Sequence, residues 1–172
     1  HAGGIDLQFP HHECEIAQAE AAGFRFARHW MHHNHVLLEG EKMAKSTGNL
    51  VLLHDLLEAH EPMALRFYLL QTHYRSPMDF TWEGRESAKR GHGRLRHAYR
   101  EVRGRKKTAP PGTTPELERA LDALEKAFME AIEDDLSTPE ALAALFAFLP
   151  ELHKLLPEAK AESLARAEAV FH

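Results

Sequence analysis

Residues 10–38, PHHECEIAQAEAAGFRFARHWMHHNHVLL, decide between a helical protein and a mixed one. Pro10, then acids, then alanine-rich sequence read as a helix with proline at its first position and Glu13 and Glu15 in its first turn, closing at Gly23. The texture then changes. From Trp30 to Leu38 the chain is short and aromatic, Asn34 marks a turn, and His35-Val36-Leu37-Leu38 reads as a strand. Helix and strand in such close succession place the front of the chain in the α/β class.

Working outward, Glu39 to Asn49 holds two glycines and little apolar weight, so a loop is expected there. Leucines 53, 56 and 57 give helical spacing to residues 52–60, and Leu65, Tyr68 and Leu69 do so for 62–72. Ser76-Pro77 interrupts, and Phe80 and Trp82 close an irregular compact piece. Beyond Glu83 the pattern is helical almost throughout, broken by the connection at 108–114. The helix from Pro115 carries Leu117, Leu121, Leu124, Phe128 and Ile132 on one face. Ser137-Thr138-Pro139-Glu140 restarts it, with hydroxyls placed to cap. Three parts are expected: 1–50 and 51–82, together α/β, and an all-α bundle over 83–172.

At 172 residues and 44% hydrophobic the chain can bury one sizeable core or two smaller ones. No apolar run approaches the ~20 residues of a membrane span. A single cysteine, Cys14, allows no internal disulfide and fits a cytoplasmic location. The formal charge of -5 does not point to a nucleic-acid partner, but its distribution does more: residues 89–107 hold nine Lys/Arg and one acid, Glu101. Such a stretch suits either a phosphate backbone or a solvated basic face. The chain opens on histidine, so it reads as part of something longer.

Three clusters carry chemistry. His11, Cys14 and Glu15 stand at i, i+3 and i+4, on one helix face. Imidazole, thiolate and carboxylate together favour zinc; acids at a helix N-terminus also suit the macrodipole alone. Lys42-Met43-Ala44-Lys45-Ser46 puts two cations in a short loop where they can neutralise charge developing on a polyphosphate, and Gly48 lets that loop fold over a nucleotide. Gly3-Gly4-Ile5-Asp6 permits close approach to a sugar or base, with the Asp6 carboxylate accepting from ribose hydroxyls; an ordinary turn has the same letters. Tyr74-Arg75 suits either a packing corner or a nucleic-acid strand. His32, His33 and His35 divide between the two faces of a strand and read as structural or as lining a nucleotide pocket.

Taken in order, these islands resemble the cysteinyl-tRNA synthetases, which are class I aminoacyl-tRNA synthetases. The matching stretches are HAGGIDL at 1–7 with FPHHE at 9–13, EIAQ at 15–18, WMH at 30–32, EKMAKS at 41–46 with Gly48-Asn49, HYRS at 73–76, and Asp134-Asp135-Leu136 with Thr138-Pro139. The resemblance implies a Rossmann-type catalytic domain, a stem-contact region against the tRNA acceptor arm, and a helical bundle. It implies ATP-dependent activation of cysteine and its transfer to tRNA(Cys), by a monomer, with zinc and with ATP·Mg as substrate. By position, His11 and Glu15 resemble zinc ligands, with Cys14 as an additional candidate. Lys42 and Lys45 take the catalytic loop, with Lys45 on ATP; Gly3, Gly4 and Asp6 take the adenosine segment, His1 the substrate pocket, and Tyr74 and Arg75 the tRNA. The family's HIGH motif and two further zinc cysteines are not in this sequence and are expected upstream of His1. Ala2, Asn34, Ala44, Cys14 and Ser137 depart from the family pattern. A non-catalytic relative that binds tRNA or protein, and a ligase joining cysteine to an amino sugar, are the alternatives.

Overall fold

The computed structural model describes residues 1–43 and 48–171. They form two compact units, residues 1–60 with 72–84 and residues 61–71 with 85–172.

In the first unit, β1 (Ala2–Gly4) pairs in parallel with β2 (Met31–His33), Gly3 opposite His32. Parallel neighbours need a crossover; a 3-10 turn at Ile5–Leu7, a wide turn at Gln8–His12 and helix α1 (Glu13–Ala21) supply it. The regular helix therefore starts three residues later than Pro10 suggests. A second sheet has β3 (Val36–Leu38) in the middle, antiparallel to β4 (Glu41–Lys42) and parallel to β5 (Met78–Phe80). Two of these strands correct the sequence reading. Glu39 and Gly40, at φ 53 and 81, make a two-residue hairpin turn that pairs Leu38 with Glu41. Glu41 and Lys42 carry little apolar weight because they form an exposed edge, where charge is favoured. Met78 and Phe80 are buried on either side of exposed Asp79, a two-residue alternation too short to stand out beside Pro77. The strand at 31–33 is a further addition to the sequence reading. Asn34, between β2 and β3, is not left-handed: its Oδ1 accepts from the His35 N–H at 2.8 Å and its Nδ2 donates to the Arg75 carbonyl at 3.1 Å. Helix α2 (Leu53–Ala59) completes this unit.

The second unit holds α3 (Pro62–Leu70), most of α4 (Trp82–Lys106), α5 (Pro115–Glu133), α6 (Thr138–Leu155) and α7 (Ala161–Val170). The stripe expected on α5 faces the core: Leu117, Leu121 and Leu124 are buried against Phe148, Leu149 and Leu152 of α6, with Val102 of α4 and Leu164 of α7. Each such leucine contributes about 2 kcal/mol. Phe128 and Ile132 are half-buried. Ser137 precedes α6 as expected, but its hydroxyl makes no cap bond; its carbonyl accepts from the Ala141 N–H instead. Strands thus stop at Phe80 and helices follow, an α/β portion ahead of a helical one. Among the described residues, no helix is long and apolar enough to cross a membrane.

Candidate functional site

The first turn of α1 presents Glu15 between two imidazoles. His11, one turn back, places Nε2 3.4 Å from Oε1, and His1, at the start of β1, places Nε2 3.1 Å from Oε2. Oε2 is buried and accepts no hydrogen bond. A carboxylate oxygen withdrawn from water is stabilised by a nearby donor or cation, and the His1 ring nitrogen stands in that position at 3.1 Å. Among the described residues, His1, His12 and Glu15 form the one group whose ligand atoms lie within 4.8 Å of one another. His11 joins them through Glu15. The Cys14 thiol is exposed and stands outside this group.

Behind the carboxylate lies an aromatic box. The His1 ring meets the rings of His12, Phe26 and Trp30 edge-on at 4.8, 4.9 and 4.9 Å. His12 is only 3% exposed, and its Nδ1 shares a proton with His32 Nε2 at 2.8 Å. Trp30 and His32 lie nearly parallel, at 11°. Nothing in the sequence reading singles out His12, Phe26 or Trp30 as site residues. Trp30 and His32, two apart on extended backbone and hence on one side, are the available signal.

The protein's own side chains account for both glycines of β1. A Cβ on Gly3 would stand 2.8 Å from His12 Cε1, and one on Gly4 would collide with the Asp6 carboxylate. Asp6 itself lies 4.0 Å from His35 Nε2, so the adenosine candidate and the start of the second sheet are neighbours. Lys42 is exposed on β4, and its carbonyl accepts from Asn49 Nδ2 at 3.2 Å, which ties together the two ends of the lysine loop. Lys45 lies outside the described residues. Tyr74 and Arg75 form a corner held to Asn34 by the Tyr74 and Arg75 carbonyls; the Arg75 guanidinium sits 5.0 Å over the Tyr74 ring, and His73 stacks on that ring at 4.8 Å.

A profile of the tRNA synthetases class I (C) catalytic domain matches residues 1–90. The chain belongs to this family. A profile of the DALR domain matches residues 127–172, so it takes in the final stretch that the sequence islands leave uncovered. The chain is 98% identical over its whole length to a cysteine–tRNA ligase of Thermus thermophilus, of which it covers 36%. It is 47% identical over 91% of its length to one from Deinococcus radiodurans, covering 31% of that protein. The chain thus spans about a third of these curated relatives. In fold it resembles the agnB2 LeuRS of Agrobacterium radiobacter K84, solved as a ternary complex with tRNA and LeuAMS, at TM-score 0.76 and 18% identity, over 99% of this chain and 24% of that one. Family membership agrees with the class I resemblance of the sequence.

Proposed function

We propose that this chain is part of a cysteine–tRNA ligase, an enzyme of the cytoplasm acting as a monomer. It would activate cysteine with ATP·Mg and transfer it to tRNA(Cys). The carboxylate oxygen of cysteine bonds to the α-phosphorus of ATP as the bond to the β-phosphate breaks and pyrophosphate leaves; the tRNA terminal hydroxyl then takes the aminoacyl group and AMP departs. The observation that carries this reading is Glu15, its carboxylate oxygens 3.4 Å from the His11 imidazole and 3.1 Å from the His1 imidazole.

That donor set fits zinc. His11 and Glu15 would hold the ion, and when bound it supplies a soft Lewis acid that favours a thiolate over a hydroxyl, a basis for choosing cysteine over serine. His1 orients Glu15 and walls the substrate pocket with Trp30. The backbone of Gly3 and Gly4 and the Asp6 carboxylate address the nucleoside. Lys42 and Lys45 neutralise charge on the phosphates. Residues 51–82, with Tyr74 and Arg75, contact the acceptor arm, and the helical part follows. Aminoacylation assays test the division of labour: the chain extended to the length of its relatives charges tRNA with cysteine, while residues 1–172 alone do not. Charging by residues 1–172 alone would overturn it.

A further inference from the structure

Glu101 is the one acid between Lys89 and Lys107, and it meets a histidine of a neighbouring helix. His97 and Glu101 lie one turn apart on α4, each one residue ahead of a core position, Ala98 or Val102; His153 follows the buried Leu152 of α6. His97 Nε2 stands 3.5 Å and His153 Nε2 3.2 Å from the same oxygen, Glu101 Oε2. That oxygen is buried, whereas the His97 and His153 side chains are 71% and 46% exposed. Arg105, the next turn along, donates to the Pro157 carbonyl. With Leu156, these residues line an open groove of about 460 Å³.

A histidine and a glutamate one turn apart are ordinary on an exposed helix. His54 and Glu58 make such a pair on α2 at 3.1 Å, with both side chains 70% exposed or more and no second imidazole on that carboxylate among the described residues. Glu101 differs, because a second helix brings a second imidazole to one buried oxygen. Two imidazoles and a carboxylate are a donor set for a first-row divalent cation. Zinc–ligand bonds of about 2.0–2.1 Å at the tetrahedral angle put neighbouring donor atoms roughly 3.3–3.4 Å apart. Each histidine–glutamate separation therefore already matches an edge of such a site. The third edge is still open, the two imidazole nitrogens standing more than 4.8 Å from each other. Closing it takes a swing of the His97 ring towards His153, and the exposure of that ring leaves it free to swing.

We propose that His97, Glu101 and His153 form a metal site separate from the one on α1, which takes zinc or a cation of similar preference. By gathering donors from both helices, the ion ties α4 to α6, and water in the groove completes its coordination. The site lies within the helical unit and uses none of the residues assigned to the proposed reaction, so it stands whether or not that reading holds.

Cobalt(II) titrated into the 172-residue chain carrying Glu15→Gln tests the site, since that substitution weakens the cluster of the first unit. Paramagnetic shifts of assigned amides should centre on residues 97–101 of α4 and on 153 of α6. His97→Ala and His153→Ala, both at exposed positions, should each weaken binding at least tenfold, a loss that even outer-shell partners of a metal can cause. Saturating zinc should raise Tm by several degrees, and each histidine variant should lose that gain. Shifts centred away from α4 and α6, or undiminished affinity in either variant, would overturn the site.

Discussion

Gly3 stands opposite His32 in the β1–β2 register and under the ring of His12. The ring has little room to move: its Nδ1 is bound to His32, and the rings of His1 and Trp30 lie against it. Gly3→Ala would set a Cβ 2.8 Å from Cε1 and 3.0 Å from Leu7 Cδ1, an overpacking worth about 1–3 kcal/mol. Thermal unfolding should show the loss, and an unchanged midpoint would mean the box yields freely. The sequence points to a glycine needed for close approach, but not to its being an internal imidazole that approaches. His11 and Glu15, one turn apart, are legible because helix geometry alone brings them together. The inclusion of His1 is not, since strand β1 and helix α1 meet only through the folded turn at 5–12.

At the scale of elements, buried Ser163 joins α5 to α7. Its oxygen accepts from the Thr114 N–H at 2.8 Å while its hydroxyl donates to Glu118, and Arg166 reaches Glu118, Asp122 and Glu125. The Ser163 hydroxyl and then the Arg166 guanidinium hold the Glu118 carboxyl below its ordinary value, and the three carboxylates push Arg166 upward. Ser163→Ala leaves the half-buried Thr114 N–H without its acceptor and should cost about 0.5–1.5 kcal/mol in urea unfolding. Because the Glu118 carboxyl is lowered by folding, its stabilisation is present in full above its unfolded pKa of about 4.3 and is lost as pH falls through the lowered folded value. The stability gap between the parent and Glu118→Gln should therefore close on moving from about pH 7 to acid; a constant gap contradicts the linkage. The α5 stripe is readable because three turns of leucine repeat one signal. Strands β4 and β5 are not, being two and three residues long and set by the Glu39-Gly40 turn and by pairing with β3.

Across the molecule, the two units differ in what they bury. The core cluster of Leu117, Leu121, Leu152, Leu164 and Val102 belongs to the helical unit. In the first unit α1 buries no residue, and Phe9 and Phe24 are 78% and 70% exposed. Amide hydrogen exchange should accordingly be slowest in α5 and α6 and faster throughout α1 and β1; equal protection would contradict that contrast. The class of the fold and its order, α/β and then helical, are open to reading because periodicity changes near residue 82. The proposed reaction is open only through islands in sequence order, since no single one of them is specific. The central question is whether Glu15 holds the ion that distinguishes a thiol from a hydroxyl. The direct measurement is zinc content together with cysteine- and serine-dependent ATP–pyrophosphate exchange, for the chain extended to the length of its relatives and its Glu15→Gln variant. Expected are one zinc per parent molecule and, in the variant, at least a tenfold loss of zinc affinity together with loss of the preference for cysteine; a variant that keeps both its zinc and that preference would contradict the assignment.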